Sequence, residues 1–118
     1  MVVETRGKVA ILRPHGDLFL RESEVFEERA TGLLRANFES FVVNLSGVRY
    51  IGSSGIGALI NLYNQLKRMD GRMIATNVPE KVVSVLEMMN LTMIEIMDSE
   101  AEAFSVFGDG GGEVTGLV

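Results

Sequence analysis

The sequence has 118 residues, which is enough for one domain with its own hydrophobic core. It contains no cysteine and one histidine, which excludes a disulfide scaffold, a thiolate zinc site and a cysteine nucleophile, and leaves only His15 for histidine-dependent chemistry. The formal net charge is −5 and no basic cluster exceeds Lys67-Arg68, so we expect no nucleic-acid partner. No signal-peptide pattern and no apolar run near the roughly 20 residues that cross a bilayer is present, so we expect a cytoplasmic protein without direct membrane insertion.

Strand-like and helical segments alternate along the first part of the chain. Residues 8–13 (KVAILR) predict a strand closed by Pro14 and Gly16, which either lies at a sheet edge or pairs with an extra N-terminal strand. Residues 22–36 have the apolar period of a helix. The continuous apolar run at residues 40–45 (SFVVNL) is typical of a strand covered on both faces. These segments predict the first strand–helix–strand unit.

The second part of the chain continues the alternation. Its predicted elements are a loop at residues 46–57, a helix over 54–69, a strand over 72–76, a helix that Pro79 opens, a strand over 93–97 and a helix over 99–107. Ser99 and Glu102 predict a capping box at the last helix. The order predicts a single α/β domain over residues 1–107, with a mixed, mainly parallel four- to five-stranded sheet and about four helices. The glycine-rich residues 108–118 predict a flexible tail.

Apolar residues at helical spacing predict which faces of two of these helices are buried. The predicted inward residues are Ile56, Leu59, Ile60, Tyr63 and Leu66 in the helix over 54–69, and Val82, Val85, Leu86 and Met89 in the helix after Pro79.

The junction that follows the strand at 40–45 has the best composition for a functional site. Sites of α/β proteins gather where strand ends meet helix starts, and the free N–H groups of a helix N-terminus suit a serine that carries a phosphate. Ser53 and Ser54 lie there between glycines. An ordinary helix start has a similar composition, because serine is a favoured N-cap and glycine allows tight turns.

Two rows of mostly small residues extend along the helix from this junction. One row is Ser54, Ala58 and Leu62, and the neighbouring row is Ser53, Gly57 and Asn61. Because Leu62 lies outside the predicted buried stripe, the rows predict a flat surface that a partner protein can approach. The predicted partner-binding residues are Gly52, Ser54, Gly55, Gly57, Ala58, Asn61 and Leu62.

Familiar catalytic motifs are absent from the junction. Ile56 occupies the fifth position of a G-x-S-x-G pattern, and Ile60 occupies the third glycine position of a dinucleotide fingerprint. A serine hydrolase would have to use His15, for which an exposed turn is the ordinary explanation. We therefore expect a protein that is not an enzyme and has no catalytic residue, metal site or cofactor.

The chain resembles the STAS domain of bacterial anti-sigma factor antagonists over about residues 8–107. The matching segments are Gly16-Asp17-Leu18, residues 42–48 (VVNLSGV), residues 50–57 (YIGSSGIG), Gly71 and residues 85–91 (VLEMMNL). The resemblance implies that the unphosphorylated protein binds an anti-sigma factor, itself a GHKL-type serine kinase, and so releases the sigma factor. It also implies that phosphorylation of the first motif serine, Ser53, ends this binding and that a PP2C-type phosphatase restores it.

Gly52 departs from the family pattern, which has an aspartate before the acceptor serine. The departure removes a carboxylate beside the acceptor and a side chain that caps helices well. The family also contains members that act without phosphorylation. A non-phosphorylated STAS scaffold or a transporter-associated regulatory subunit is therefore the alternative function.

Overall fold

The computed structural model describes residues 1–111. In chain order its elements are β1 Val2–Arg6, β2 Val9–Arg13, β3 His15–Leu18, α1 Leu20–Arg35, β4 Ser40–Asn44, β5 Gly47–Ile51, α2 Ser53–Arg68, β6 Arg72–Thr76, α3 Glu80–Met88, β7 Glu95–Met97 and α4 Glu100–Gly111. The last helix thus includes the first four residues of the predicted tail at 108–118, and the rest of that tail lies outside the described residues. None of the helices in residues 1–111 is both long and apolar enough to cross a membrane.

The main sheet is mixed and mainly parallel, which confirms the predicted fold class. Its five strands have the order β1-β2-β4-β6-β7, and β1 is the extra N-terminal strand, antiparallel to β2. The other neighbouring strands are parallel. Alternate residues of the central strands contact opposite layers: Ile11 and Val42 pack with Phe104 of α4, whereas Leu12 and Val43 belong to the larger core on the other side.

A second, two-stranded sheet was not predicted. β3 and β5 pair in parallel from His15 opposite Gly47 to Leu18 opposite Ile51. The prediction of a loop over residues 46–57 was therefore wrong for its first half. A side chain at Gly47 would approach the His15 Cβ to 2.9 Å, so the two strands pack more closely there than a larger residue would allow.

The start and end of α3 differ slightly from expectation. Pro79 is the N-cap residue and the helix begins at Glu80. Val82 and Leu86 are buried as predicted, whereas Met89 is 54% exposed, so its predicted inward position was wrong. The reason is that the helix ends at Met88 and the chain turns at Asn90, which has a positive φ of 62°.

The capping interactions of α4 follow the predicted pattern in part. The Glu102 N–H donates to Ser99 Oγ at 3.2 Å. The Glu102 carboxylate accepts from the Asp98 N–H at 2.8 Å and not from that of Ser99. The backbone N–H of Asp98, just before the helix, and that of Glu102, in its first turn, are therefore both satisfied by side chains.

A polar network attaches α4 to the main sheet. Arg13 donates to both carboxylate oxygens of Glu100, at 2.8 and 2.9 Å, and the Asn44 amide donates to the same carboxylate at 2.6 Å. Arg13 also pairs with Glu4 at 2.8 Å. The hydrogen bonds from Arg13, and to a smaller extent the one from Asn44, lower the pKa of Glu100 below its ordinary value of 4.5, against a desolvation effect that raises it.

Replacing Glu100 with glutamine is expected to lower the free energy of unfolding by about 1.5–3 kcal/mol at neutral pH, the usual range for hydrogen bonds to charged groups. Because folding lowers the pKa of Glu100, its carboxylate stabilises the fold above that group's unfolded pKa. The contribution is lost as the pH falls through the folded pKa. The difference between wild type and Glu100→Gln in urea unfolding should therefore shrink as the pH falls below about 4.5.

Glu95→Gln is the matched control for this prediction. Glu95 forms a similar two-pronged pair with Arg72, but both side chains are more than 40% exposed. Its loss should cost less than about 1 kcal/mol. Equal effects of the two substitutions, or a difference for Glu100→Gln that does not change with pH, would contradict the role given to the partly buried Arg13–Glu100 pair.

Candidate functional site

The N-termini of α1 and α2 lie side by side at one end of the small sheet. β3 and β5 run parallel, and each leads directly into a helix, through Phe19 and Gly52 respectively. The Gly52 N–H donates to the Leu18 carbonyl oxygen at 3.2 Å, which ties the two strand ends together. Two hydroxyls join the first turns of the helices, since Ser23 Oγ and Ser54 Oγ are 3.4 Å apart.

Ser53 is the first residue of α2, and its side chain is exposed. Gly52 is the N-cap residue and offers no side-chain cap, and the first turn of α2 contains no acidic residue. The first backbone N–H groups of a helix have no partner within the helix and carry a partial positive charge. The structure therefore places an exposed serine at a position where an added phosphate would meet favourable electrostatics.

One of the two predicted surface rows is exposed and the other is not. Gly57 and Asn61 are exposed and continue the row of Ser53 along α2. Ala58 and Leu62 are only 1% and 2% exposed, so the prediction that they lie on a surface open to a partner was wrong. They form part of the hydrophobic core and lie against α1.

Gly55, another predicted partner-binding residue, is also buried, so its predicted place on the exposed surface was wrong. A Cβ at this position would lie 2.6 Å from the Leu18 carbonyl oxygen and 2.9 Å from Ile51 Cγ1. Glycine is therefore needed here so that the first turn of α2 can approach the ends of β3 and β5. Ser54 is half-buried by the same approach and bonds to Ser23, whereas Gly52 is half-buried at the edge of the site.

Phe19 also belongs to this site and was not predicted from the sequence. Its ring lies against Gly52, where an added Cβ would come within 2.6 and 2.8 Å of two ring carbons. The ring also packs on Tyr50 with centroids 5.0 Å apart and planes inclined by 58°. Tyr50 belongs to the motif segment at 50–57, but nothing in its spacing linked it to Phe19, because the pairing of β3 with β5 was not predicted.

Charged side chains beside the site include one ion pair on the small sheet and the exposed Glu22 in the first turn of α1. Arg49 of β5 and Asp17 of β3 form an exposed ion pair at 3.2 Å. His15 lies at the other end of β3, opposite Gly47. Within residues 1–111, no three potential metal-ligating side chains come together in a way that could hold a metal ion.

An α/β domain that presents a serine at the start of its second helix, beside a short parallel sheet, agrees with the known fold of one family. The family model of the STAS domain matches residues 1–103, and the chain belongs to the STAS family.

Solved structures of this fold include proteins that act in sigma-factor regulation. One is the crystal structure of TM1081 from Thermotoga maritima, a protein proposed to be an anti-sigma factor antagonist. Its sequence is 24% identical to this one, the match covers 89% of this chain and 92% of TM1081, and the TM-score is 0.83. Another is the anti-sigma factor antagonist SpoIIAA in its unphosphorylated form, which is 20% identical in sequence. The match covers 89% of this chain and 94% of SpoIIAA, with a TM-score of 0.74. A third is the phosphorylated form of the Bacillus cell-fate determinant SpoIIAA, also 20% identical. The match covers 91% of this chain and 98% of that chain, with a TM-score of 0.76. At these identities the likeness establishes the shared fold.

Proposed function

We propose that this protein is an anti-sigma factor antagonist that is switched by phosphorylation of Ser53. In its unphosphorylated form it binds an anti-sigma factor, itself a GHKL-type serine kinase, in the cytoplasm and thereby releases the sigma factor. The observation that carries the proposal is the exposed residue Ser53 at the first position of α2. A protein of the same fold, SpoIIAA, is known in unphosphorylated and phosphorylated forms, which supports the choice.

Phosphorylation at this position is compatible with an intact fold. A phosphate adds about −1.5 to −2 charges at neutral pH. Next to the N-terminus of α2 these charges gain about 0.3–1 kcal/mol from the helix dipole, and up to about 2 kcal/mol in favourable geometry. The modified group would begin the exposed row that includes Gly57 and Asn61, so it would change the surface available to a partner without disturbing the core.

In the proposed function the protein binds an anti-sigma factor and is phosphorylated, and it does not itself catalyse a reaction. A serine hydrolase would need a histidine next to Ser53. His15 stands three strand positions from Leu18, at about 3.3 Å per residue, at the end of β3 remote from the α2 N-terminus. A PP2C-type phosphatase is the partner proposed to remove the phosphate and reset the switch.

Gly52 favours a second candidate function. Since Gly52 supplies no carboxylate beside Ser53, a kinase that reads such a group would not recognise this site. The alternative is a non-phosphorylated STAS scaffold or a transporter-associated regulatory subunit that binds its partner through the same surface.

Incubation of the protein with ATP and each purified GHKL-type anti-sigma factor kinase of the source organism separates the two functions. Intact mass spectrometry should show one added phosphate on wild type, none on Ser53→Ala, and one on Ser54→Ala, whose serine is half-buried against Ser23. A PP2C-type phosphatase should return the mass to its starting value. A stable complex with no change in mass would favour the scaffold and contradict the switch.

A further inference from the structure

Three large apolar side chains are exposed around the candidate phosphorylation site. Phe19 is 42% exposed, Tyr50 56% and Leu20 76%. Phe19 and Leu20 follow β3 and Tyr50 is the last residue but one of β5, so all three belong to the junctions where α1 and α2 begin, as Ser53 does. The interaction between the Phe19 and Tyr50 rings holds this pair together in the free protein, with centroids 5.0 Å apart.

Phe19 occupies a helix-capping position, but its side chain cannot cap the helix. It is the N-cap residue of α1 and makes no side-chain cap hydrogen bond. Serine, threonine, aspartate and asparagine are strongly preferred at such positions. A residue that breaks a local preference and leaves its ring half in solvent is the kind of departure expected at a functional surface.

The Phe19 ring also fills the place that a side chain at position 52 would take. A Cβ on Gly52 would lie 2.6 and 2.8 Å from two of its ring carbons. The surface next to Ser53 is therefore aromatic, and a carboxylate at position 52 is excluded while the ring stays in place.

We propose that the Phe19–Tyr50 pair is the specificity-determining contact through which the anti-sigma kinase recognises this protein, an inference that rests on the proposed function. The pair fits an apolar pocket of the kinase next to its catalytic cleft. The charged side chains of β3 and β5, Asp17 and Arg49, pair with each other at 3.2 Å, so on these two strands it is the rings that an apolar pocket would receive. Aromatic side chains are enriched in the central, energetically dominant parts of protein interfaces.

Two substitutions remove the rings while respecting the local structure. Phe19→Ser places a preferred residue at the N-cap of α1, and Tyr50→Thr keeps a residue that suits a strand. Each should raise the KM for phosphorylation of Ser53 about 30-fold or more, the loss that defines an interface hot spot, and leave kcat within about two-fold. The conservative variants Phe19→Tyr and Tyr50→Phe should stay within about three-fold of wild type in KM, because a ring is retained.

Ile96→Thr is the matched control. Ile96 is 43% exposed, nearly the same as Phe19, and lies on β7 at the edge of the main sheet. Its substitution should leave KM unchanged.

Gly52→Asp should raise KM in the wild-type background, because the new side chain displaces the Phe19 ring. The same substitution should have a much smaller effect in a Phe19→Ser background.

The outcomes distinguish this proposal from the function on which it rests. Failure of wild type to accept a phosphate overturns both the phosphorylation switch and the specificity contact. Efficient phosphorylation of wild type, Phe19→Ser and Tyr50→Thr with equal KM overturns the specificity contact alone. A change in sedimentation from dimer to monomer in Phe19→Ser, with KM unchanged, would assign the pair to contact between two copies of this chain and would also overturn it.

Discussion

A phosphate on Ser53 is expected to weaken binding to the anti-sigma kinase by about 100- to 1000-fold. The estimate comes from the cost of burying an unpaired charge at an interface, about 3–5 kcal/mol, with each 1.4 kcal/mol worth a factor of about ten. The stabilising effect of the α2 N-terminus is smaller, about 0.3–1 kcal/mol, so the interface effect decides the sign. Ser53→Asp carries only one added charge and should lose at least about ten-fold.

Titration calorimetry of the purified kinase with wild type, phosphorylated wild type, Ser53→Ala and Ser53→Asp measures these affinities. Ser53→Ala should bind like wild type. Ser84→Asp is a matched charge control, because Ser84 is exposed on α3, and it should also bind like wild type. Thermal unfolding should show that each variant remains folded. Equal affinities of all forms would remove the switch.

The main sheet was predictable because its strands give strong local signals. The sequence of β6, Arg72–Thr76, has the predicted bounds, and β4 covers all but the last residue of the predicted run at 40–45. Both strands lie inside the sheet and are covered on both faces, so their apolar residues are continuous in sequence. Burial on both sides of a strand leaves a pattern that a single sequence shows directly.

The small sheet was not predictable in the same way. β3 has the sequence HGDL and β5 the sequence GVRYI, and in β5 only Val48 and Ile51 are buried. These strands are too short and too exposed for an apolar period, and their pairing depends on contacts between segments about 30 residues apart in the chain. The neighbourhood of Phe19, Tyr50 and Gly52 follows from that pairing, which is why the aromatic part of the site had no signal in the sequence.

Ser53 lies at a helix start, as the sequence predicts, whereas the buried face of α2 was predicted too narrowly. Large apolar residues predicted a stripe through Leu59 and Leu66, and both are buried. The helix, however, packs against α1 as well as against the sheet, so the buried face extends to Ala58 and Leu62. Small residues occur in cores and on surfaces alike, and Ala58 therefore gave no indication of which neighbour it meets.

Gly55→Ala is expected to destabilise the fold, and Gly57→Ala to stabilise it, although the two glycines are two residues apart in one helix. The added methyl at position 55 would lie 2.6 Å from the Leu18 carbonyl oxygen, a backbone atom that cannot move without shifting the end of β3. Such overpacking costs about 1–3 kcal/mol, which exceeds the gain in helix propensity from alanine. A methyl at position 57 would meet no atom within 4 Å, so the propensity gain of about 0.5–1 kcal/mol remains.

Urea unfolding of the two variants and wild type measures this difference directly. The midpoint should fall for Gly55→Ala and rise for Gly57→Ala with similar slopes, since both variants expose nearly the same surface on unfolding. Destabilisation by both substitutions would show that Gly57 has a packing constraint of its own. A stabilised Gly55→Ala would mean that α2 can move away from β3 at no cost, and the close approach that holds Ser53 at the junction would then not be needed.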